Sequence, residues 1–266
     1  MKLRAAIAVA WMTLILWAPD LAFAKRAPDE YAHIRTVAVV SALGNIPMRG
    51  GGEFGWRQRA DVTIPGDWAI DDFVTTLVAD ALRYRFQVLR VPSGPGAARD
   101  LLAALALSPF DGFQERVKAK PLALSVDAYI VVYPVTVEVS GEQWEGLALT
   151  HSGGLFRRGK TFASAAYAVA VYDARTGGRI GYGTARSPDA GPPPALLTVE
   201  TCDNEIWASR PDKLTPAQQL EINDAFRALI ARSLPAALQD AGLIGGGNAR
   251  IRTDFLEGRP LACRPY

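Results

Sequence analysis

A chain of 266 residues, 49% hydrophobic and 21% charged, can bury one large core or two small ones. Its 29 basic and 27 acidic residues leave a formal net charge of only +2, which argues against an electrostatic nucleic-acid binder. Two histidines and two cysteines are thin material for zinc, whose sites usually draw several such ligands.

The N-terminus predicts export. Lys2 and Arg4 form a short positive region, Ala5 to Ala18 is apolar apart from Thr13, and Ala22-Phe23-Ala24 has the small-large-small shape a signal peptidase accepts. The apolar run is about 14 residues, short of the roughly 20 that span a bilayer as a helix. Residues 1–24 are read as a signal peptide cut after Ala24, with an uncleaved anchor as the alternative. The product is expected to be periplasmic or secreted. Removing that segment leaves 242 residues and a net charge of +1. No cysteine follows the cut to carry a lipid, and no later segment is apolar enough to cross a membrane.

Residues 25–34, charged and containing Pro28, read as a flexible lead-in. Residues 35–40 are a β-branched run suited to a strand covered on both faces. Residues 44–66 are rich in glycine, and the alternation of Val62 and Ile64 predicts a short hairpin or arm. Asp67 is the expected N-cap of the first helix, whose apolar face is Ile70, Phe73, Val74, Leu77, Val78, Ala81 and Leu82. A strand follows at 86–91, a second helix at 97–107, and the longest strand signal at 127–139.

The stretch from Phe162 to Tyr172 and that from Arg179 to Ala185 read as a hairpin joined at Thr176-Gly177-Gly178, whose glycines supply positive φ. Ala163, Ala165, Ala166, Ala168 and Ala170 are small enough to let a helix approach closely, either 70–84 or 216–240. Between 187 and 213, proline-rich loop is expected to surround Leu196 to Cys202. Thr215, Pro216 and Gln218 spell a capping box for the last helix, with Pro235 inside it and Gly242 to Gly247 ending it. The predicted class is α/β (α+β): a mixed β-sheet packed by amphipathic helices, in the order β-α-β-α-β-β-β-α. Residues 35–244 are expected to form one domain, with the tail 245–266 tied back by a Cys202–Cys263 disulfide closing a loop of about 60 residues; two free thiols are the alternative.

No catalytic pattern emerges. Gly50 to Gly55 matches GxxxxG, but Trp56 and Arg57 stand where a phosphate loop needs Lys and Ser/Thr. His151-Ser152-Gly153-Gly154 lacks the glycine spacing of a nucleophile elbow and reads as a polar hairpin turn. No cofactor and no metal site are expected. Arg157, Arg158 and Lys160 form a small basic cluster that reads as solvated loop, or as a contact for acidic lipid or polymer. With Trp56 and Arg57 they are the candidate ligand or partner contacts.

The strand–helix–strand opening and the hairpin VYDARTGGRI, with its D-x-x-T-G turn, resemble the amino-terminal domain of TolB and the curli-secretion lipoprotein. Ser41-Ala42-Leu43-Gly44 is also similar to exported proteobacterial proteins in which such a strand ending precedes a helix. The resemblance implies partner binding in the cell envelope and no catalytic residues. The chain lacks the curli protein's lipid-bearing cysteine, so outer-membrane anchoring is not implied. The expectation is an exported, non-catalytic binding or assembly module whose partner is an envelope protein or polymer. The alternatives are a periplasmic hydrolase with a carboxylate-based site, and a ligand-sensing domain using the Gly-rich arm 50–66.

Overall fold

Residues Arg157–Asp173 form one unbroken 17-residue strand, and the rest of the sheet is arranged around it. The computed structural model describes residues 28–44, 48–52, 59–60, 69–91, 125–139, 142–154, 157–186, 197–201, 206 and 214–245. In chain order the strands are β1 (Thr36–Ser41), β2 (Met48–Gly52), β3 (Arg59–Ala60), β4 (Gln87–Arg90), β5 (Ala128–Pro134), β6 (Thr136–Val139), β7 (Glu142–Gly154), β8 (Arg157–Asp173), β9 (Arg179–Thr184) and β10 (Leu197–Glu200). Two helices are described, α1 (Ile70–Leu82) and α2 (Pro216–Asp240).

All ten strands belong to one mixed sheet. The C-terminal half of β8 pairs with β5 and β9, both antiparallel, and β1 lies parallel between β5 and β4. This near half reads β4-β1-β5-β8-β9. The N-terminal half of β8 pairs antiparallel with β7 and β10, and β2 runs parallel to β7 with β3 beyond it. This far half reads β3-β2-β7-β8-β10. Around Pro134, which has no N–H to give the ladder, β5 hands over to the β6–β7 hairpin.

Side chains alternate across the sheet, so each residue's face follows from register. Val37, Val39, Ile130, Val132, Tyr167, Val169 and Val171 share the face that α1 and α2 cover, and all are buried in one core. The apolar stripe of α1 lies where its 3.6-residue period puts it, with Ile70, Val74, Leu77, Val78 and Leu82 buried. The capping box of α2 is formed: Thr215 Oγ1 accepts from the Gln218 N–H, and Gln218 Oε1 accepts from the Thr215 N–H. Pro235 lies inside the helix, and the chain turns out of it at Gly242, φ +76°.

The alanine track of β8 splits by parity. Ala163 and Ala165 face the helices, whereas Ala166, Ala168 and Ala170 lie on the opposite face. The close approach of α2 is made instead by Gly181 and Gly183 of β9, where an added Cβ would land on the Ala241 and Ala237 backbone.

Several expectations are corrected. Residues 28–34 are not loose chain: a short 3-10 turn (Pro28–Tyr31) leads in, and Tyr31 and Ile34 are buried. The residue at the α1 N-cap is Ala69 at φ 46°, with no side-chain cap; Asp67 is outside the described residues. Asp71 in the first turn bonds to the end of β1 instead. Glu142–Gly154 is a strand, so His151 to Gly154 are ladder residues rather than a turn. Within Leu196 to Cys202, the segment that loop was expected to surround, Leu197–Glu200 is a strand. The expected helix 97–107, most of the arm 53–66, Cys202, Cys263 and the tail 246–266 lie outside the described residues.

Candidate functional site

Two stretches that the sequence keeps a hundred residues apart meet in the far half of the sheet. The start of the Gly-rich arm, Gly50–Gly52, pairs in parallel with His151–Gly153 of β7. On the other side of β7, Ser152 pairs with Lys160 and Gly154 with Arg157, with a register shift between the two pairs. Arg49 pairs with Arg59 across the β2–β3 ladder and with Thr150 across β2–β7. The basic segment therefore belongs to a strand and not to a solvated loop. Lys160 is exposed. Trp56 and Arg57 are outside the described residues.

Three carboxylates in the near half each hold a joint of the fold. Asp127, just before β5, accepts from the Arg35 and Thr36 N–H groups, both at 2.8 Å, and so fixes the start of β1. Those N–H donors, Thr36 foremost, pull its pKa below the ordinary value. Asp173 ends β8. Its Oδ1 accepts from the Arg175 and Thr176 N–H groups at 2.8 Å each, closing the turn, and its Oδ2 lies 2.8 Å from His33 Nε2. Burial pushes its pKa up, but the donors from Thr176, His33 and Arg175 outweigh burial and leave it lowered.

Asp71 does the reverse. Its Oδ1 accepts from Ser41 Oγ and the Leu43 N–H, both at 2.7 Å, and from the Gly44 N–H at 3.2 Å, tying the end of β1 to the first turn of α1. Burial dominates and raises its pKa above the ordinary 3.8, despite those hydrogen bonds. Sequence reading missed Ser41 as its donor. The match between a strand-end Ser-x-Leu-Gly and a first-turn carboxylate was the available signal.

The opposite signs give a pH prediction. A lowered folded-state pKa, as at Asp173, contributes stability above the unfolded value that is lost as pH falls through the folded value. A raised one, as at Asp71, contributes stability present below the unfolded value and lost as pH rises through the folded value. Asp173→Asn is therefore expected to flatten the loss of stability on acidification, and Asp71→Asn to remove a decline on the alkaline side of the carboxylate range. Denaturant midpoints measured from about pH 3 to about pH 7 read both slopes.

On the sheet face away from the helices, Tyr133 of β5 and Tyr182 of β9 flank β8, opposite Ala168 and Ala170 respectively. Their hydroxyls share a hydrogen bond, and Arg179 stacks over Tyr182 at 4.9 Å. Both rings and that of Tyr172 have phenol pKa values raised chiefly by burial. The small alanines are what lets the two tyrosines meet across the strand. Among the described residues no group of three or more His, Cys, Asp or Glu could hold a metal, and no helix is long and apolar enough to cross a membrane.

No family model matches the chain, and no curated protein matches it. Among solved structures, a hypothetical protein of Chlamydia trachomatis aligns over 77% of this chain and 98% of its own, at 15% identity and a TM-score of 0.29.

Proposed function

We propose that the protein is an exported, non-catalytic binding or assembly module of the cell envelope, with the far half of its sheet as the contact surface. One observation carries this reading: the fold brings the Gly-rich arm and the basic segment onto strands flanking β7. The polar groups of the near half support it, since Asp71, Asp127 and Asp173 each accept backbone N–H groups at a joint of the fold. The expected signal peptide supplies the route to the envelope. A photo-crosslinking residue at Thr198, exposed on β10, tests the reading in cells, with exposed Tyr84 at the far end of α1 as the control. A discrete adduct from Thr198 alone is expected. Adducts from both positions, or from neither, would count against it.

A second reading, a hydrolase built on a carboxylate, has one observation behind it. Asp71 has a raised pKa and lies with Ser41 at the C-terminal end of a parallel strand, where open α/β sheets place ligands. Loss of an envelope-polymer hydrolysis in Asp71→Asn, with folding intact, would favour it.

A further inference from the structure

We infer that the joint outer edge of β9 and β10 takes up an extended, uncharged strand of a partner protein; this rests on the binding-module reading and names the partner's chemistry. β9 and β10 are two pieces of one edge. Ala185, just past β9, donates its N–H to the Tyr167 carbonyl of β8, and β10 begins with Leu197 opposite Ala165, two residues further along the same side of β8. Together they line β8 from Val171 to Phe162, about 30 Å of edge. Arg186 is held by Asp240 of α2 at 2.8 and 2.9 Å, so the chain leaves β9 on the helix side.

Register decides which backbone groups are already bonded. In an antiparallel ladder, alternate residues turn both N–H and C=O to the same neighbour. The bonds from the Ala185 N–H to Tyr167 and from the Thr201 N–H to Thr161, both 2.8 Å, set the parity. Gly181, Gly183, Leu197 and Val199 therefore turn their backbone groups to β8. Tyr182, Thr184, Thr198 and Glu200 turn theirs outward, and among the described residues no strand pairs with them. Extended backbone repeats its donors and acceptors at this same spacing, which selects an added strand over a small ligand. Open edges are ordinarily guarded by shortness, charge or proline. β3 has two residues, β4 has four and ends with exposed Arg90, and β6 carries exposed Glu138. Within β9 and β10 the only charged residues are Arg179 and Glu200, at the two outer ends, and neither strand contains proline. The strand positions between those ends are neutral, so their complement is an uncharged segment.

The test is photo-crosslinking in cells from Thr198 of the full chain, with Thr184 kept, replaced by alanine or replaced by proline. Proline removes the outward N–H of Thr184 and spares the bonds to β8, because that N–H makes none of them. Thr184→Ala is expected to keep the adduct within about twofold, and Thr184→Pro to reduce it at least about tenfold. If Thr184→Pro fails to fold by circular dichroism, the crosslinker moves to Thr184 and Thr198→Pro carries the test, with the same loss expected. An adduct that survives proline, or one lost equally with alanine, overturns the added strand and leaves the binding module standing. An adduct of twice the chain's mass makes a second copy the occupant and overturns it too. No adduct from the parent chain sinks the binding module along with the strand.

Discussion

Tyr31→Ala is expected to destabilise the protein by about 3–5 kcal/mol, the range for removing a large buried ring. The ring is 4% exposed, and it meets Phe86 with centroids 6.5 Å apart. Arg85 lies over both rings, at 5.2 and 5.0 Å, and donates to the Gly242 and Leu243 carbonyls beyond α2. The Tyr31 hydroxyl donates to the Ala241 carbonyl at 2.5 Å. One side chain therefore joins the segment before β1, the corner between α1 and β4, and the end of α2. Tyr31→Phe keeps the ring and removes only the hydroxyl, which also reaches the Ile180 carbonyl at 3.5 Å, so its expected cost is smaller, about 1–2 kcal/mol. Denaturant unfolding of both variants measures the difference. Two equal and small effects would show that the segment before β1 contributes nothing to the fold.

Gly183→Ala is expected to cost about 3 kcal/mol, at the upper end of the range for overpacking. An added Cβ would run into the Ala237 carbonyl and stand 2.9 Å from Ala241 N. These are backbone atoms of α2 and its cap, so no side chain can swing aside; the helix must lift from β9 or the strand must bend. Gly245→Ala is the matched control, since nothing lies within 4 Å of its Cβ position. It should fall within about 0.5 kcal/mol of the parent. Thermal midpoints decide the pair, and similar values for the two variants would refute the close approach.

The sequence revealed what is encoded locally. The capping box at Thr215 and Gln218 uses residues three apart, and the α1 stripe repeats every 3.6 residues, so both could be read directly. Gly177 has φ +70°, as the turn chemistry of Thr176-Gly177-Gly178 requires. What depends on distant partners could not be read. Glu142–Gly154 mixes glycine, polar and charged residues, and it is a strand because β2 and β8 pair with its two edges. Leu197–Glu200 is short and set among prolines, and only its ladder with Ala163 to Ala165 and Phe162 makes it a strand. The charges of Arg157 to Lys160 disguised the start of β8, because strand propensity reflects the neighbours a side chain meets.

The candidate site was half legible for the same reason. The basic segment and the arm were each recognisable by composition, but their meeting across β7 is a matter of register. The carboxylates show the same limit. Asp173 was visible as a turn residue, whereas its partner His33 lies 140 positions away in sequence.

The unbroken course of β8 also has a kinetic side. A strand shared by both halves of the sheet has only one register to choose, and a slip of one residue would exchange its faces from end to end. Tyr167, Val169 and Val171 would leave the helix side in the same step that displaced Ala163 and Ala165 beneath the far half. Neither half can then be correctly paired while the other is wrong. The two halves should melt and refold together, as one cooperative transition, and the rate should be set by the long loops that must close before β8 finds β5 and β7.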